Sequence, residues 1–260
     1  MSVAVSKPRR AGRMASWLAG LALLLAVLGL LGLAAAPLVW RAGVLPLKTA
    51  FMLLAAGALL AMAAAVLAFL GLILAQILAR ASLGWPRIAA LSCVLLLGIA
   101  LAWAAWNVRH GHAPPINDIT TDTEHPPAIS AALPARQAEH AVSADYGGPA
   151  VVRQQTAAYP DIQPLRLAMP AAQAFGLALG TAKAMPDWRI LAADQQAGRI
   201  EATQSSFWFG FVDDIVIRVA ADSGGSRVDM RSHSRQGRGD LGVNAARIRR
   251  YMAALKQAAG

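Results

Sequence analysis

Two adjacent carboxylates, Asp213 and Asp214, sit in the stretch FWFGFVDDIVIRV at residues 207–219. Paired acids share a proton or hold a metal only when they converge on a few ångströms of space. The β-branched run that follows reads as a strand, and strand side chains alternate between faces. Asp213 therefore shares a face with Ile215, Ile217 and Val219, at the strand's entry, where an end-of-strand cap is expected. Asp214 shares the other face with Val216 and Arg218. The two acids are not a dyad.

Closing a hairpin at Ser223-Gly224 sets Ala221 opposite Ser226, Arg218 opposite Asp229, Val216 opposite Arg231 and Asp214 opposite His233. One face then carries Arg218, Asp229, Arg231, Asp214 and His233, extended by Arg235 and Glu201. Such cross-strand pairs fix register and stabilise by about 0.2–1 kcal/mol each. The expectation is a flat, solvated outer face. Its functional alternative is anion recognition, with Arg218, Arg231 and Arg235 as donors. Asp214 and His233 are also the candidate acid–base pair of a hydrolase. No nucleophile is recognisably partnered with them, because Ser232 and Ser234 point to the other side.

Other constellations carry less. Gly237, Gly239 and Gly242 match a dinucleotide fingerprint in spacing and follow a strand before a helix. The fingerprint needs a further strand bearing an acid about 20 residues on, and this sequence ends at Gly260. A strand-to-helix turn capped by Asp240 or Asn244 is the better reading. His110, His112 and His125 lie near Asp118, Asp122 and Glu124, but prolines at 114, 115, 126 and 127 hold the stretch extended and helical ligand spacing is absent. No metal and no cofactor is expected. The aromatics Phe207, Trp208, Phe209 and Phe211 either pack under the sheet edge or meet a lipid interface or acyl chain, which makes Trp208 a candidate ligand-binding residue.

The elements that position these residues follow a long apolar prelude. The chain of 260 residues is 57% hydrophobic, with a mean hydropathy of +0.47. Soluble domains average about 45–50% apolar. Its net charge is +10, yet residues 1–113 hold nine Lys/Arg and no acid, while residues 114–260 hold fifteen Lys/Arg and fourteen Asp/Glu. The basicity therefore flanks apolar segments, where it orients membrane spans. It does not line a groove on the folded part, so nucleic-acid binding is not expected. Cys93, the single cysteine, lies in an apolar run and reads as an inert thiol.

Three uncharged runs, at about residues 17–36, 49–79 and 88–106, are each long enough to span a bilayer core. Lys7, Arg9, Arg10, Arg13, Arg80 and Arg87 lie on one side, against Arg41, Lys48 and Arg109 on the other. That bias puts the N-terminus in the cytoplasm and residues 114–260 in the periplasm, on the far side of a bacterial inner membrane. The first run exceeds a signal-peptide core, although Ala34-Ala35-Ala36 leaves cleavage open. None of the runs contains Asp, Glu, Lys, Arg or His, so they read as an anchor and not as an ion pathway. Gly20, Gly29, Gly32, Gly57 and Gly71 would permit close helix approach.

Residues 114–158 read as a Pro/Ala-rich tether, and residues 159–260 as the exported domain. Patterns predict strands over 162–167, 188–193, 199–205, 212–220 and 226–234, with helices over 170–185 and 243–257. In the last of these helices, Val243, Ile248, Met252 and Leu255 form the predicted apolar face, with Arg247, Arg249, Arg250 and Lys256 elsewhere. The order β-α-β-β-β-β-α makes an α+β domain: an antiparallel sheet of about four or five strands with two helices on one face.

Over roughly Asn117 to Leu255, the segments INDITTDTEHPP, FWFGFVDDIVIRV and RVDMRSHSRQGRGDLGVNAARI resemble a family known only as domain of unknown function 1499. The family occurs in bacterial envelope-type proteins, often after N-terminal spans, and in some plastid proteins. The resemblance implies a fold and a membrane setting. It supplies no settled activity and no catalytic residues. The family often has an acid before the Pro-Pro pair, where this sequence has His125, which argues against a shared metal site there. The resulting expectation is an inner-membrane protein whose periplasmic domain binds an envelope protein or lipid without catalysis. An envelope hydrolase using Asp214 and His233 is the alternative.

Overall fold

The computed structural model describes residues 8–79 and 113–260, together with Leu96, Gly98–Ala100 and Trp103 between them. The chain divides into two compact units, residues 1–108 and 109–260.

The first unit contains α1 (Pro8–Arg41) and α2 (Leu47–Ala79). Within them Trp17–Arg41 and Leu47–Gly71 are long and apolar enough to cross a membrane. Apart from the few helical residues named above, the third run at 88–106 lies outside the described residues, as does Cys93. A short turn with Gly43 at φ +68° reverses the chain, and the two helices pack antiparallel. Their contact is built on glycine. A Cβ added at Gly29 would stand 2.7 Å from the Ala61 nitrogen, and one at Gly57 would stand 2.8 Å from the Gly29 carbonyl oxygen. Gly32 meets the Gly57 Cα in the same place, while Gly20 has nothing within 4 Å and Gly71 makes only ordinary contact with Leu18. Between apolar helices in lipid, this close approach is what gives the pair its packing energy.

The second unit is a six-stranded antiparallel sheet in the order β1-β6-β5-β4-β3, with β2 also paired to β6. Its strands are β1 (Asp118–Thr120), β2 (Leu165–Leu167), β3 (Trp188–Asp194), β4 (Arg199–Ser205), β5 (Val212–Asp222) and β6 (Gly225–Ser234). β1 and β2 lie end to end along one edge of β6: Leu165 pairs with Val228, and Thr120 with Arg231. The β5–β6 hairpin turns at Ser223-Gly224, with Gly224 at φ +84°, and pairs Asp214 with His233, Val216 with Arg231 and Arg218 with Asp229.

The apolar face carries Ile200, Ile215, Ile217, Val219, Val228 and Met230. Two helices cover it, α5 (Ala171–Ala184) and α6 (Val243–Ala258). Tyr251 of α6 is fully buried at the centre, donates to the Ala178 carbonyl at 2.9 Å and stacks on Trp188. Ile248 and Leu255 are buried as their spacing predicts, but Val243 is exposed. Arg247, expected on the polar side of this helix, is instead turned into the interface.

The opposite, polar face is not solvated. Residues 121–147, including the short helix α3 (Leu133–Ala138), lie across it, and α4 (Gly148–Ala158) braces the outer edge of β1. Gln155 of α4 accepts from the Thr120 nitrogen at 3.0 Å and donates to the Thr120 carbonyl at 2.7 Å, imitating a further strand. The stretch expected to be a tether is therefore part of the domain, contributing a strand and two helices. Its apolar anchorage is small: Ile129, Ala132 and Val216, with Leu133, Ala144 and Leu191 beside them. Polar bonds do the rest.

Candidate functional site

Those bonds define the site. β6 presents Asp229, Arg231 and His233 on the polar face because strand side chains alternate. Arg231, mid-strand, is only 3% exposed. Its Nε and Nη2 donate to the two oxygens of Asp118 at 2.9 and 2.8 Å, a bidentate pair, and the remaining donors reach the carbonyls of Pro127 at 3.2 Å and Ala144 at 2.7 Å. Its guanidinium also lies over the Tyr146 ring, 5.6 Å from the centroid. Every face that a bound anion would use is engaged by the protein itself. Burial pushes the Asp118 carboxyl upward, opposed by the hydrogen bonds and charge of Arg231.

Asp214 is held the same way. Arg136 Nη1 donates to it at 2.7 Å, and Arg235 grips it with Nε at 3.0 Å and Nη2 at 2.7 Å. Arg235 also reaches Glu139 at 2.6 Å. His233 pairs with Asp214 in strand register but not in hydrogen bonding. Its Nδ1 lies 3.4 Å from Arg136 Nη2 and 3.7 Å from Asp118 Oδ2. Burial first, then the charges of Arg136 and Arg231, hold its pKa down to about 3. A general base works best when its pKa lies near the operating pH. Among the described residues no hydroxyl is hydrogen-bonded to His233. The geometry of an acid–base pair serving a nucleophile is therefore missing from this pair.

Two further clusters fasten the cover. Arg218 and Arg227 are both clamped between Asp122 and Asp229, at 2.9–3.0 Å. The other oxygen of Asp122 accepts from the backbone nitrogens of Glu124 and His125. Asp122, Glu124 and His125 thus form a turn; His110 and His112 lie outside the described residues. Glu201, 2% exposed, accepts from Ser130 Oγ at 2.5 Å and from the backbone nitrogens of Ser130, Ala131 and Ala132. Arg136 Nε is buried without a hydrogen-bond partner among the described residues.

On the apolar side, Asp213 does not cap its own strand. It is paired with Arg247 at 2.5 Å, and Arg247 also donates to Gln204, Ser232 and Asn244. Asp240 closes the start of α6, accepting from the nitrogens of Gly242 at 2.8 Å and Asn244 at 2.7 Å. A carboxylate therefore fills the place that a phosphate takes in a dinucleotide fold. Gly237 and Gly242 serve the turn, with φ near +83°.

The aromatic cluster splits. Phe209 is buried and stacks on Phe211 at 5.2 Å, whereas Trp208 is 53% and Phe207 97% exposed at the tip of the β4–β5 hairpin. Of the residues that sequence reasoning singled out, the fold gathers Arg218, Arg231, Arg235, Asp214 and His233 on one face and covers them, while Trp208 stays at the surface. Arg136, Arg227 and Arg247 were missed. Arg136 had a signal: it is the single charged residue in the apolar stretch from Pro126 to Ala138.

No match was found among the curated proteins or the solved structures. The family described as protein of unknown function, DUF1499, matches residues 118–255, from the Asp118 that pairs with Arg231 to the Leu255 that closes the core beneath α6. That span is just over half of the chain, and the chain belongs to the DUF1499 family.

Proposed function

We propose that this is an inner-membrane protein anchored by its N-terminal apolar helices, whose C-terminal domain lies in the periplasm and binds an envelope protein or lipid without catalysis. The observation that carries the non-catalytic reading is that Asp214 is held between Arg136 and Arg235 while His233 is kept neutral and, among the described residues, has no hydroxyl to activate. Catalytic carboxylates and imidazoles need a substrate-facing side and a pKa matched to the task. This pair has neither. The charge asymmetry around the apolar runs supports the orientation, and the exposed Trp208 end of the domain supports a docking role.

Reporter fusions test the setting. A reporter that works only after export should be active at Gly260 and silent at Arg80; the reverse pattern would place the domain in the cytoplasm. Asp214→Asn and His233→Gln should lower the domain's stability. A loss of a hydrolytic activity with stability unchanged would instead revive the hydrolase.

A further inference from the structure

The two ends of the sheet differ in chemistry. One end carries the turns Asp194–Ala197 and Asp222–Gly225, with Gln195, Gln196 and Ser223 at their tips. The other carries the β4–β5 tip. There the Ser206 nitrogen donates to the Phe211 carbonyl at 2.8 Å, Ser206 Oγ accepts from the Phe211 nitrogen at 2.9 Å, and Gly210 turns at φ +67°. With Phe209 and Phe211 stacked as its base, this tight turn holds Phe207 and Trp208 outward on a rigid support.

Further exposed apolar surface lies at the same end. Leu241 is 55% exposed in the loop that leaves β6, Val243 is 42% exposed at the first position of α6, and Arg238 is exposed beside them. Lys183 and Asp187 flank the start of β3, whose Trp188 pairs with Gln204 next to the tip. Residues 113–117, through which the domain joins the preceding chain, lie at this end too. The Ser234 nitrogen donates to Asn117 O at 2.9 Å, Asn117 Nδ2 donates to Gly237 O at 2.7 Å, and Gly239 packs on Pro115.

We infer that Phe207 and Trp208 insert into the headgroup region of the lipid bilayer, seating this end of the domain on the membrane surface. The inference rests on the membrane setting proposed above and names the lipid surface as the docking partner. The Trp208 indole, apolar with a polar N–H, favours the boundary between headgroups and acyl chains, and the apolar Phe207 ring adds buried area beside it. Arg238 and Lys183 add attraction to anionic headgroups, offset in part by Asp187. The polar turns at the opposite end stay in water.

The test uses the full chain in nanodiscs of phosphatidylcholine and phosphatidylglycerol, with Cys93→Ser removing the native thiol. An environment-sensitive fluorophore is attached at Phe207→Cys, at Arg238→Cys with both aromatics retained, or at Ser223→Cys on the far end. Lipids carrying a nitroxide near the headgroup should quench the first two probes at least about threefold more than the third, because insertion of this kind reaches about 5–10 Å into the boundary. Adding Trp208→Ser to the Arg238 probe should reduce its quenching toward the Ser223 level. Equal quenching at both ends overturns the inference. So does a blue-shifted Phe207 probe that nitroxide lipids leave unquenched, which would mark a protein contact. Nanodiscs expose both leaflets, so neither outcome depends on which side of the cell the domain occupies.

Discussion

Arg231→Ala is the most informative single perturbation. Were the polar face solvated, the change would cost under about 1 kcal/mol, as exposed ion pairs do. The side chain is instead buried against an Asp118 that is itself 4% exposed. Removing the guanidinium strands a buried carboxylate and two carbonyls, those of Pro127 and Ala144. Breaking one side of a buried pair costs about 3–5 kcal/mol. Amide hydrogen exchange in β6 peptides of the full chain reads this directly: opening should become easier by about two to three and a half orders of magnitude. Arg231→Lys should recover only part, since an ammonium cannot reproduce the fork. Arg231→Met with Asp118→Leu should recover most, because an apolar pair of similar volume avoids the desolvation of both charges. An Arg231→Ala effect below about 1 kcal/mol would refute the reasoning and mean that the cover lifts at little cost.

Three further outcomes follow from the same geometry. Because His233 is held at about pKa 3 in the fold, the unfolded chain binds its proton first; stability should be full above about pH 6.5 and fall as pH drops toward 3, by on the order of 5 kcal/mol. His233→Gln should flatten that slope in acid denaturation, against the smaller opposing contribution of Asp118, whose carboxyl burial raises. Glu201→Gln removes the charged acceptor for Ser130, Ala131 and Ala132, so amide exchange across 128–147 should rise at least tenfold while β5 and β6 change little, a loss of about 1.5–3 kcal/mol. Gly57→Leu has no room beside Gly29 and Leu33, so spin labels on α1 and α2 should move apart by about 2 Å or more; an unchanged distance would show the glycine contact to be incidental.

The hairpin register was legible because it depends on local chemistry. Ser223-Gly224 fixes the turn, and alternation then dictates each pair through Asp214 and His233. The helices α5 and α6 were legible for the same reason, from Pro170, Pro186 and the spacing of Ile248 and Leu255. The cover was not. Residues 121–147 have no periodicity, since their order comes from long-range bonds such as Arg136 to Asp214 and Ser130 to Glu201, and Pro and Ala there signal only a lack of regular structure. Burial of the polar face was misjudged because alternation assigns a residue to a face without saying what lies over it. Arg247 was misjudged similarly: a cation on a helix looks solvated until its facing strand is seen to bring Asp213.

The cover also has a consequence for length. Surface segments of this composition ordinarily tolerate insertions and deletions, because lengthening a loop costs little entropy. Here Asp118 is fixed to Arg231, Asp122 to Arg218 and Arg227, and Arg136 to Asp214, so the segment is pinned to the sheet at successive points along its path. Deleting one residue between Asp122 and Arg136 would pull a charged group off its counter-charge, much as a slipped strand turns its side chains to the wrong face. The stretch has the composition of a spacer and the metrical constraint of a ruler.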